Sequence, residues 1–216
     1  MIFNIVTVRS QKELYISVKY SILDSVCCFN EECHMSKFVS LEGLHGVGKS
    51  TIAAMVADRM GLSLTPTIPD AFSSARRCVN DGTCIEARFM FFLAATLSAG
   101  EAIQEKNRKG EDVIVESYIF RSIAFHEGMG SEITVSLQSS FFLPSHTVLL
   151  LCDPEVRALR LKERGGLRNK WDIRAELCAD TILARYQAFG FKTIDTTNLQ
   201  PNQVTDLVME IINEKP

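Results

Sequence analysis

From residue 35 onward, short runs of hydrophobic residues alternate with longer stretches in which hydrophobic residues recur every three or four positions. Short continuous runs are typical of strands buried in a parallel sheet, and the longer period is typical of helices with one buried face. Strands interleaved with helices predict an α/β fold, in which a five-stranded parallel sheet carries helices on both faces. The strand candidates are 38–41, 62–68 (interrupted by proline), 112–116, 147–152 and 191–195.

Capping residues mark the ends of several predicted helices. Gly61 ends the helix after the first strand, and Gly110 ends a long helix that opens with capping-box spacing at Thr83–Glu86. Asp153 and Pro154 form an N-cap followed by proline at the first helical position. The other predictions are a short helix or loop at 70–81 and helices at 118–127, 131–142, 172–189 and 201–213.

Three cysteines and a histidine near the end of the first 34 residues raise the question of a zinc site. Adjacent cysteines are poor spacing for zinc ligands, and no second ligand pair follows them. We therefore interpret them as ordinary buried or free thiols. The four residues are Cys27, Cys28, Cys33 and His34.

The 216 residues are enough for one sizeable α/β domain. A second methionine, Met35, precedes the first predicted strand, so we expect a self-sufficient domain at 35–216 and an N-terminal extension at 1–34. The net charge of −3 argues against a general nucleic-acid-binding surface. No hydrophobic run has the length of a membrane span. Seven scattered cysteines, with no signal-peptide pattern, favour a reducing cytoplasm.

The stretch Gly43–Ser50, GLHGVGKS, matches the phosphate-binding pattern G-x-x-x-x-G-K-[ST] between a predicted strand and a predicted helix. Glycines let the main-chain N–H groups turn toward phosphate oxygens, and the helix start adds its positive dipole end. Lys49 would reach the β- and γ-phosphates, and the Ser50 hydroxyl would bind Mg²⁺. The loop therefore predicts a three-layer P-loop NTPase fold with ATP and Mg²⁺ as cofactors. The expected cofactor contacts are Gly43, His45, Gly46, Val47, Gly48, Lys49, Ser50 and Thr51, with Ser50 as the metal ligand.

Three stretches together resemble the thymidylate kinases and deoxynucleoside kinases. FVSLEGLHGVGKST at 38–51 resembles their opening, Glu-Gly-x-x-Gly-x-Gly-Lys-Ser/Thr. VIVESYIFRSIAFHEG at 113–128 resembles their second motif, a strand that ends in Asp/Glu-Arg-Tyr/Ser and is followed by Ser and then Ala-Tyr-Gln. TVLLLCDPEVRALRLKERGGLR at 147–168 resembles their fourth strand, Asp-Pro helix and arginine-bearing lid. The resemblance covers most of residues 36–214.

The resemblance implies phosphoryl transfer from ATP to a nucleoside monophosphate such as dTMP, or to a deoxynucleoside. Such transfer needs positioning, Mg²⁺ and positive charge around the transferred group. Arg164 and Arg168 flank the glycines 165–166 and are the lid candidates. Glu116 ends a buried strand, where the resembled families place an acidic residue that acts at the acceptor hydroxyl or helps to organise the metal. The implied catalytic residues are Lys49, Glu116, Arg164 and Arg168, and the implied substrate-binding residues are Glu116, Tyr118 and Arg121.

The acceptor side departs from the resembled pattern. Ser117 stands where the families carry arginine after the acid, and Arg121 is placed to substitute from one turn later. The arginine that many thymidylate kinases carry in the long helix falls near Leu97, and their Arg-Glu-Pro motif is replaced by 67–70. His45 resembles the Gly-x-His-Gly loop of herpesvirus-type thymidine kinases. The acceptor is therefore left open between a nucleotide and a nucleoside.

Two alternatives stay open. Asn169–Asp172, Asn-Lys-Trp-Asp, matches the guanine-reading motif of GTPases, but that motif should end a buried strand and here follows a charged helix end. The switch motif Asp-x-x-Gly occurs only at Asp58–Gly61, too early in the chain. The second alternative is a non-catalytic nucleotide-binding module. As partners we expect a small-molecule nucleoside or nucleotide acceptor, no nucleic acid and no membrane, with a homodimer left open.

Overall fold

The computed structural model describes residues 36–137, 141–166 and 169–214. Within these ranges the protein has five strands and eight helices. The strands are β1 (Phe38–Glu42), β2 (Ser63–Leu64), β3 (Val113–Glu116), β4 (His146–Leu151) and β5 (Lys192–Asp195). The helices are α1 (Lys49–Met60), α2 (Asp70–Gly82), α3 (Ile85–Arg108), α4 (Ile119–Gly128), α5 (Pro154–Glu163), α6 (Lys170–Leu177), α7 (Ala179–Gln187) and α8 (Pro201–Asn213).

The five strands run parallel in one sheet with the order β2-β3-β1-β4-β5. β1 lies at the centre, and every one of its residues is buried. Parallel sheets are covered on both faces, which explains why β1, β3 and β4 consist mostly of hydrophobic residues. The register places Leu41 beside Glu116 and also beside Val148, so the carboxyl ends of β1, β3 and β4 meet at one edge. The predicted α/β fold with a five-stranded parallel sheet is confirmed.

The helices pack in two groups around the sheet. α1 packs against α8, and α4 packs between α3 and α7. Seven of the ten residues of α4 are buried, so its polar residues also lie inside the protein. A glycine allows the close approach of α7, because a Cβ at Gly128 would come within 2.7 Å of the Cα of Ile182. α4 is therefore the buried helix that carries side chains from the core to the edge of the sheet.

The predicted caps at two helix ends are confirmed. Asp153 accepts hydrogen bonds from the N–H groups of Glu155 (2.8 Å) and Val156 (3.2 Å), with Pro154 at the first turn of α5. Gly61 ends α1 with a φ of 69°. The last helix has the predicted bounds, 201–213.

The helix predicted at 131–142 is wrong. Within the described part of that stretch, 131–137 and 141–142, the structure contains no helix. Ile133, Val135 and Leu137 are partly buried against the core, and the residues between them are exposed. This alternation has a period of two, which extended chain presents and a helix cannot.

Three further predictions need correction. The single helix predicted at 172–189 is two helices, α6 and α7, separated at Cys178, which lets α7 settle against α4. α3 is capped by Cys84, whose Sγ accepts from the N–H of Ala87, whereas the Thr83 hydroxyl donates to the carbonyl of Val79. β2 has only two residues, because Pro66 cannot donate to a sheet ladder. The predictions for residues 1–34, including the zinc question, lie outside the described residues.

Candidate active site

Glycine is required at two positions of the loop between β1 and α1. Gly43 has a φ of 135° and Gly46 a φ of 84°. A Cβ at Gly43 would collide with the carbonyl oxygen of Leu150, and one at Gly46 would come within 2.8 Å of the Arg157 side chain. α1 begins directly after the loop and has no acidic residue in its first turn. The positive end of the helix dipole therefore faces the loop, as anion binding requires.

Lys49 is folded back beneath this loop. Its Nζ donates to the carbonyl oxygens of Gly43 (2.8 Å) and Leu44 (2.7 Å). Burial lowers the pKa of Lys49 to about 7, and repulsion from Arg121 adds to this, while Glu116 and other acidic groups act in the opposite direction. Phosphate oxygens that enter the loop would exchange with these carbonyls as acceptors of a charged donor.

The other loop residues divide into those that line the adjacent cavity and those that shape the loop. Gly43 and Val47 are the buried residues that shape the loop. The Val47 carbonyl accepts a hydrogen bond from the Thr196 hydroxyl (3.1 Å). Thr51 is exposed on the first turn of α1 and is not part of the cavity lining. The predicted cofactor residues that do line the cavity are His45, Gly46, Gly48, Lys49 and Ser50.

Glu116 reaches the cavity because the chain turns sharply after it. Ser117 has a φ of 76°, the left-handed region that residues other than glycine seldom adopt. Its N–H donates to the carbonyl of Leu41 at 3.0 Å, which ties the turn to the neighbouring strand. Strain of this kind costs on the order of 1–3 kcal/mol and is concentrated at functional sites. The turn leaves the Glu116 side chain exposed at the edge of the sheet.

A buried carboxylate holds this turn from below. Glu42 is fully buried, and one of its oxygens accepts from the N–H of Tyr118 (2.7 Å) and the hydroxyl of Ser40 (2.8 Å). Its other oxygen accepts from the Tyr186 hydroxyl at 3.1 Å. Burial raises the pKa of Glu42, and these hydrogen bonds act against the rise. Glu42 is therefore a structural carboxylate that fixes the residue directly after the strained Ser117.

Arg121 joins the loop to α4. Its Nη2 lies 2.6 Å from Nε2 of His45, and its guanidinium stacks 4.3 Å from the centre of the Phe125 ring. Burial lowers the pKa of His45 to about 2, and Arg121 adds to this effect. His45 is therefore neutral and accepts the arginine's hydrogen bond. The predicted substrate residue Arg121 lies in the cavity wall, facing the loop.

Arg88 of α3 forms a second arginine–histidine pair. Its Nη1 lies 2.6 Å from Nε2 of His126, and Nδ1 of His126 lies 2.6 Å from the carbonyl oxygen of Ser122, to which it donates. Burial lowers the pKa of His126 to about 3, and Arg88 contributes to the shift. The guanidinium lies between the rings of Phe92 (4.5 Å) and Trp171 (5.1 Å).

The sequence did not identify Arg88 or His126 as site residues. They lie 38 positions apart, and each occupies an ordinary position on an amphipathic helix. The sequence signal that could have pointed to His126 is the mostly hydrophobic composition of α4, which is typical of a buried helix. A buried histidine needs hydrogen-bond partners. Arg88, His126 and Arg76 of α2 all line the cavity, so the acceptor side does carry arginines, at positions other than those of the resembled pattern.

The substrate-binding role of Tyr118 stays a prediction, and the structure places most of its side chain in the core. Its side chain is 2% exposed and its ring packs edge-on against Phe38, with centroids 5.1 Å apart. Its hydroxyl points toward Gly100, where a Cβ would collide with it. Tyr118 borders the cavity through its position on the chain, but its ring belongs to the core.

The lid candidates are only partly within the described residues. Arg164 is exposed, caps the end of α5 and lines the cavity. Gly165 and Gly166 follow with φ values of 91° and 81°. Arg168 lies outside the described residues. Arg157 is unavailable to a ligand, because its guanidinium makes two hydrogen bonds of 2.6 Å to the Glu176 carboxylate.

The guanine-reading motif is a helix start. The Asn169 side chain accepts from the N–H groups of Trp171 (2.9 Å) and Asp172 (3.1 Å) and so caps α6. Lys170 Nζ donates to the carbonyl of Asp81 at 3.0 Å. Lys170 and Trp171 thus join α6 to α2, and the described element before α6 is helix α5 and not a strand, so the GTPase interpretation is not favoured.

A cavity of about 750 Å³ lies at the carboxyl edge of the sheet, bordered by the loop, Glu116 and the two arginine–histidine pairs. Among the described residues, its wall carries five cationic side chains and two carboxylates, an excess of three positive charges in a chain whose net charge is −3. A cavity of this sign and size suits a strongly anionic small molecule. The cations are Lys49, Arg76, Arg88, Arg121 and Arg164, and the carboxylates are Glu116 and Asp172.

No helix among the described residues is long and hydrophobic enough to cross a membrane. Nor do they contain a group of three or more histidine, cysteine, aspartate or glutamate side chains arranged to hold a metal ion.

A family model described as thymidylate kinase matches residues 41–208. A probable thymidylate kinase of Methanococcus maripaludis is 25% identical over 193 residues, covering 84% of this chain and 97% of that protein. A probable thymidylate kinase of Pyrobaculum aerophilum is 27% identical over 186 residues, covering 81% of this chain and 95% of that protein.

Solved structures agree on the fold. The thymidylate kinase of Candida albicans superposes with a TM-score of 0.65 at 18% identity, over 82% of this chain and 91% of that chain. The thymidylate kinase of Ehrlichia chaffeensis gives a TM-score of 0.59 at 16% identity, over 82% of this chain and 99% of that chain.

Proposed function

Because the chain belongs to the thymidylate kinase family of nucleotide kinases, we propose that it transfers the γ-phosphoryl group of ATP to the phosphate of dTMP. The observation that carries this proposal is a cavity lined by both the phosphate-binding loop and a set of arginines, in which Arg121 pairs with His45 of the loop and Arg88 pairs with His126 of α4. A transfer between two bound anions needs cations on both sides of the transferred group.

The donor and acceptor sides have different residues. On the donor side, the loop N–H groups and Lys49 would hold the ATP phosphates. On the acceptor side, Arg121 and Arg88 are placed to bind the acceptor phosphate, and Glu116 to orient it or to help organise the metal. Arg164 would add charge from the lid, and Arg168 stays a prediction. In this proposal, Arg121 of α4 and Arg88 in the first turn of α3 take the place of the arginines absent from the expected positions.

Mg²⁺ fits the donor set of this site. Mg²⁺ usually takes one or two protein oxygens, with the rest of its ligands from phosphates and water. The exposed hydroxyl of Ser50 and the carboxylate of Glu116 line the same cavity. When bound, the ion would neutralise phosphate charge during transfer. This small donor set also agrees with the lack of a dedicated metal cluster among the described residues.

Two further proposals concern the setting of the enzyme. The four cysteines that the structure describes are all free thiols, as in a reducing cytoplasm that also contains ATP. Met90 and Leu97 are exposed on α3 two turns apart, and they support a homodimer. Light scattering of the purified protein would show the mass of a dimer or of a monomer.

A coupled assay for ADP, with ATP, Mg²⁺ and dTMP, tests the proposed function. Lys49→Ala should lower kcat by about 10²–10³-fold, because it removes a preorganised charge from the transferred group. Lys109→Ala is the matched control, since Lys109 is exposed and lies outside the cavity. Turnover of thymidine but not dTMP would reassign the acceptor to a nucleoside. Nucleotide binding without turnover of either would favour a binding module.

A further inference from the structure

His45 points its side chain away from the loop that carries it. The loop's main chain is the part that holds phosphates, yet the imidazole of His45 reaches α4 and meets Arg121. Its backbone is fixed separately, because the His45 carbonyl accepts from Nη1 of Arg157 (3.4 Å), and Arg157 is itself paired with Glu176. The imidazole is therefore available to accept a hydrogen bond from Arg121.

The bond between His45 and Arg121 has one chemical direction. Arginine has only donors, so Nε2 of His45 must be the acceptor and the ring proton must sit on Nδ1. The charges of Lys49, Arg157 and Arg88 also act on the His45 ring, and the Oδ1 of Asp172 lies 3.9 Å from Nε2, beyond hydrogen-bond distance. The His45 ring also packs edge-on against Phe125, with centroids 5.2 Å apart. Phe125 is the ring over which Arg121 stacks.

Arg121 needs such a restraint. Lys49 and Arg88 are close enough for its charge to lower the pKa of both, so repulsion favours turning the flexible guanidinium out to solvent. Within residues 36–137, 141–166 and 169–214, no ion pair joins Arg121 to a carboxylate. The contacts that hold it inward are the Nε2 of His45 and the face of Phe125.

We propose that His45 is a positioning residue that holds Arg121 against the acceptor phosphate and so joins the nucleotide loop to the acceptor side of the cavity. This inference rests on the proposed function, in which Arg121 binds that phosphate. The His45 side chain then positions the arginine that binds the acceptor, while the main-chain N–H groups of the same loop bind the phosphates of ATP.

A double-mutant cycle tests the proposal. His45→Leu keeps bulk beside Phe125 and removes the acceptor. It should lower kcat/KM for dTMP about tenfold, the equivalent of one hydrogen bond to a charged group, with the KM for ATP within about twofold. In an Arg121→Met background the same change should have less than about a twofold effect. His45→Gln, which keeps an acceptor oxygen, should recover most of the loss. An equal loss in both backgrounds would overturn the proposal.

A second measurement does not depend on the acceptor. Nitrogen-15 spectra of the imidazoles should show His45 neutral with its proton on Nδ1 in the wild type. Arg121→Met should raise the titration midpoint of His45 and leave that of His146 unchanged, because burial, Lys37 and Lys192 lower the pKa of His146 and Arg121 does not act on it. An unmoved His45 midpoint would overturn the contact itself. Absence of dTMP turnover in the wild type, with the midpoint moving as expected, would instead overturn only the proposed function.

Discussion

At the scale of single residues, the buried Glu42 decides where Glu116 points, because it holds the N–H of Tyr118 after the strained Ser117. Glu42→Ala would leave that N–H and the Tyr186 hydroxyl buried without partners, at a cost of about 3 kcal/mol. It should also lower kcat/KM, since the turn relaxes. Glu42→Gln keeps an acceptor oxygen and should stay within about 1 kcal/mol of the wild type.

Urea unfolding of both Glu42 variants, together with the dTMP assay, separates these expectations. Equal stability and activity for Glu42→Ala and the wild type would mean that Ser117 is fixed by its own bond to Leu41 alone. Equal losses for Glu42→Gln and Glu42→Ala would mean that the negative charge, and not the hydrogen bonding, is what the turn requires.

His126 should make the protein sensitive to acid. The pKa of His126 is about 3 in the folded protein and about 6.5 when unfolded, so the unfolded state binds more protons between these values. Its contribution to stability is complete above about pH 6.5 and is lost as the pH falls, by about 1.4 kcal/mol per unit. His126→Gln should reduce this slope in urea unfolding below pH 6.5 and leave the part contributed by His45, which is also neutral in the folded protein. Parallel pH profiles for variant and wild type would contradict the assigned neutral state.

The residue scale also shows what the sequence can reveal. The nucleotide loop was predictable because its function depends on residues adjacent in the chain, with glycines whose φ values few other residues adopt. The arginine–histidine pairs were not, because each joins two elements and neither partner is unusual on its own helix. Tyr118 shows the opposite case: its position in a motif is evident from the sequence, whereas the packing of its ring in the core is evident only from the structure.

At the scale of elements, the spacing of hydrophobic residues predicted strands and helices correctly where the buried positions recur regularly along the element. It failed at 131–142, where Ile133, Val135 and Leu137 face the core with a period of two. It also joined α6 to α7, because a break at one residue leaves the helical spacing almost intact. Helix type and order were predictable, whereas the break depends on how closely α7 approaches α4.

The start of α6 offers a test between two interpretations of Asn169. As a helix cap, Asn169→Ala should cost about 1 kcal/mol and lower the Tm by about 2–4 °C. Asn169→Ser should stay close to the wild type, because serine caps equally well. Thermal unfolding of the two variants, with GTP and ATP binding in parallel, gives the answer. Loss of GTP affinity in Asn169→Ser at unchanged Tm would support a guanine reader.

At the scale of the whole molecule, the site is made by the sheet. The carboxyl ends of β1 and β3 bring the loop and Glu116 side by side, although they are separated in the chain by three helices. The fold class was predictable from interleaving, and the position of the site followed from parallel topology. The positive charge of the cavity was not predictable, because the net charge of the chain is −3 and the arginines of the cavity wall come together only in the folded protein.

The described residues also contain the anchors of the first strand. The N–H of Lys37 donates to Asp112 Oδ1 at 2.6 Å, and the carbonyl of Lys37 accepts from Val113 at 2.8 Å. We therefore propose that residues 35–216 fold and act without residues 1–34. A protein that begins at Met35 should keep its Tm within about 3 °C, a change of less than about 1 kcal/mol, and retain full dTMP kinase activity.

The control for this truncation begins at Ser40 and so lacks the first two residues of β1. It loses Phe38, which is 1% exposed and packs against Tyr118 and Phe142, with centroids 5.1 and 5.5 Å apart. Deleting a buried phenylalanine ring costs about 3–5 kcal/mol, so this protein should unfold well below the Tm of the one that begins at Met35. Differential scanning calorimetry of both truncations and the full chain gives the comparison. If the Met35 protein is destabilised as much as the Ser40 protein, residues before Met35 contribute to the core and the domain boundary is wrong.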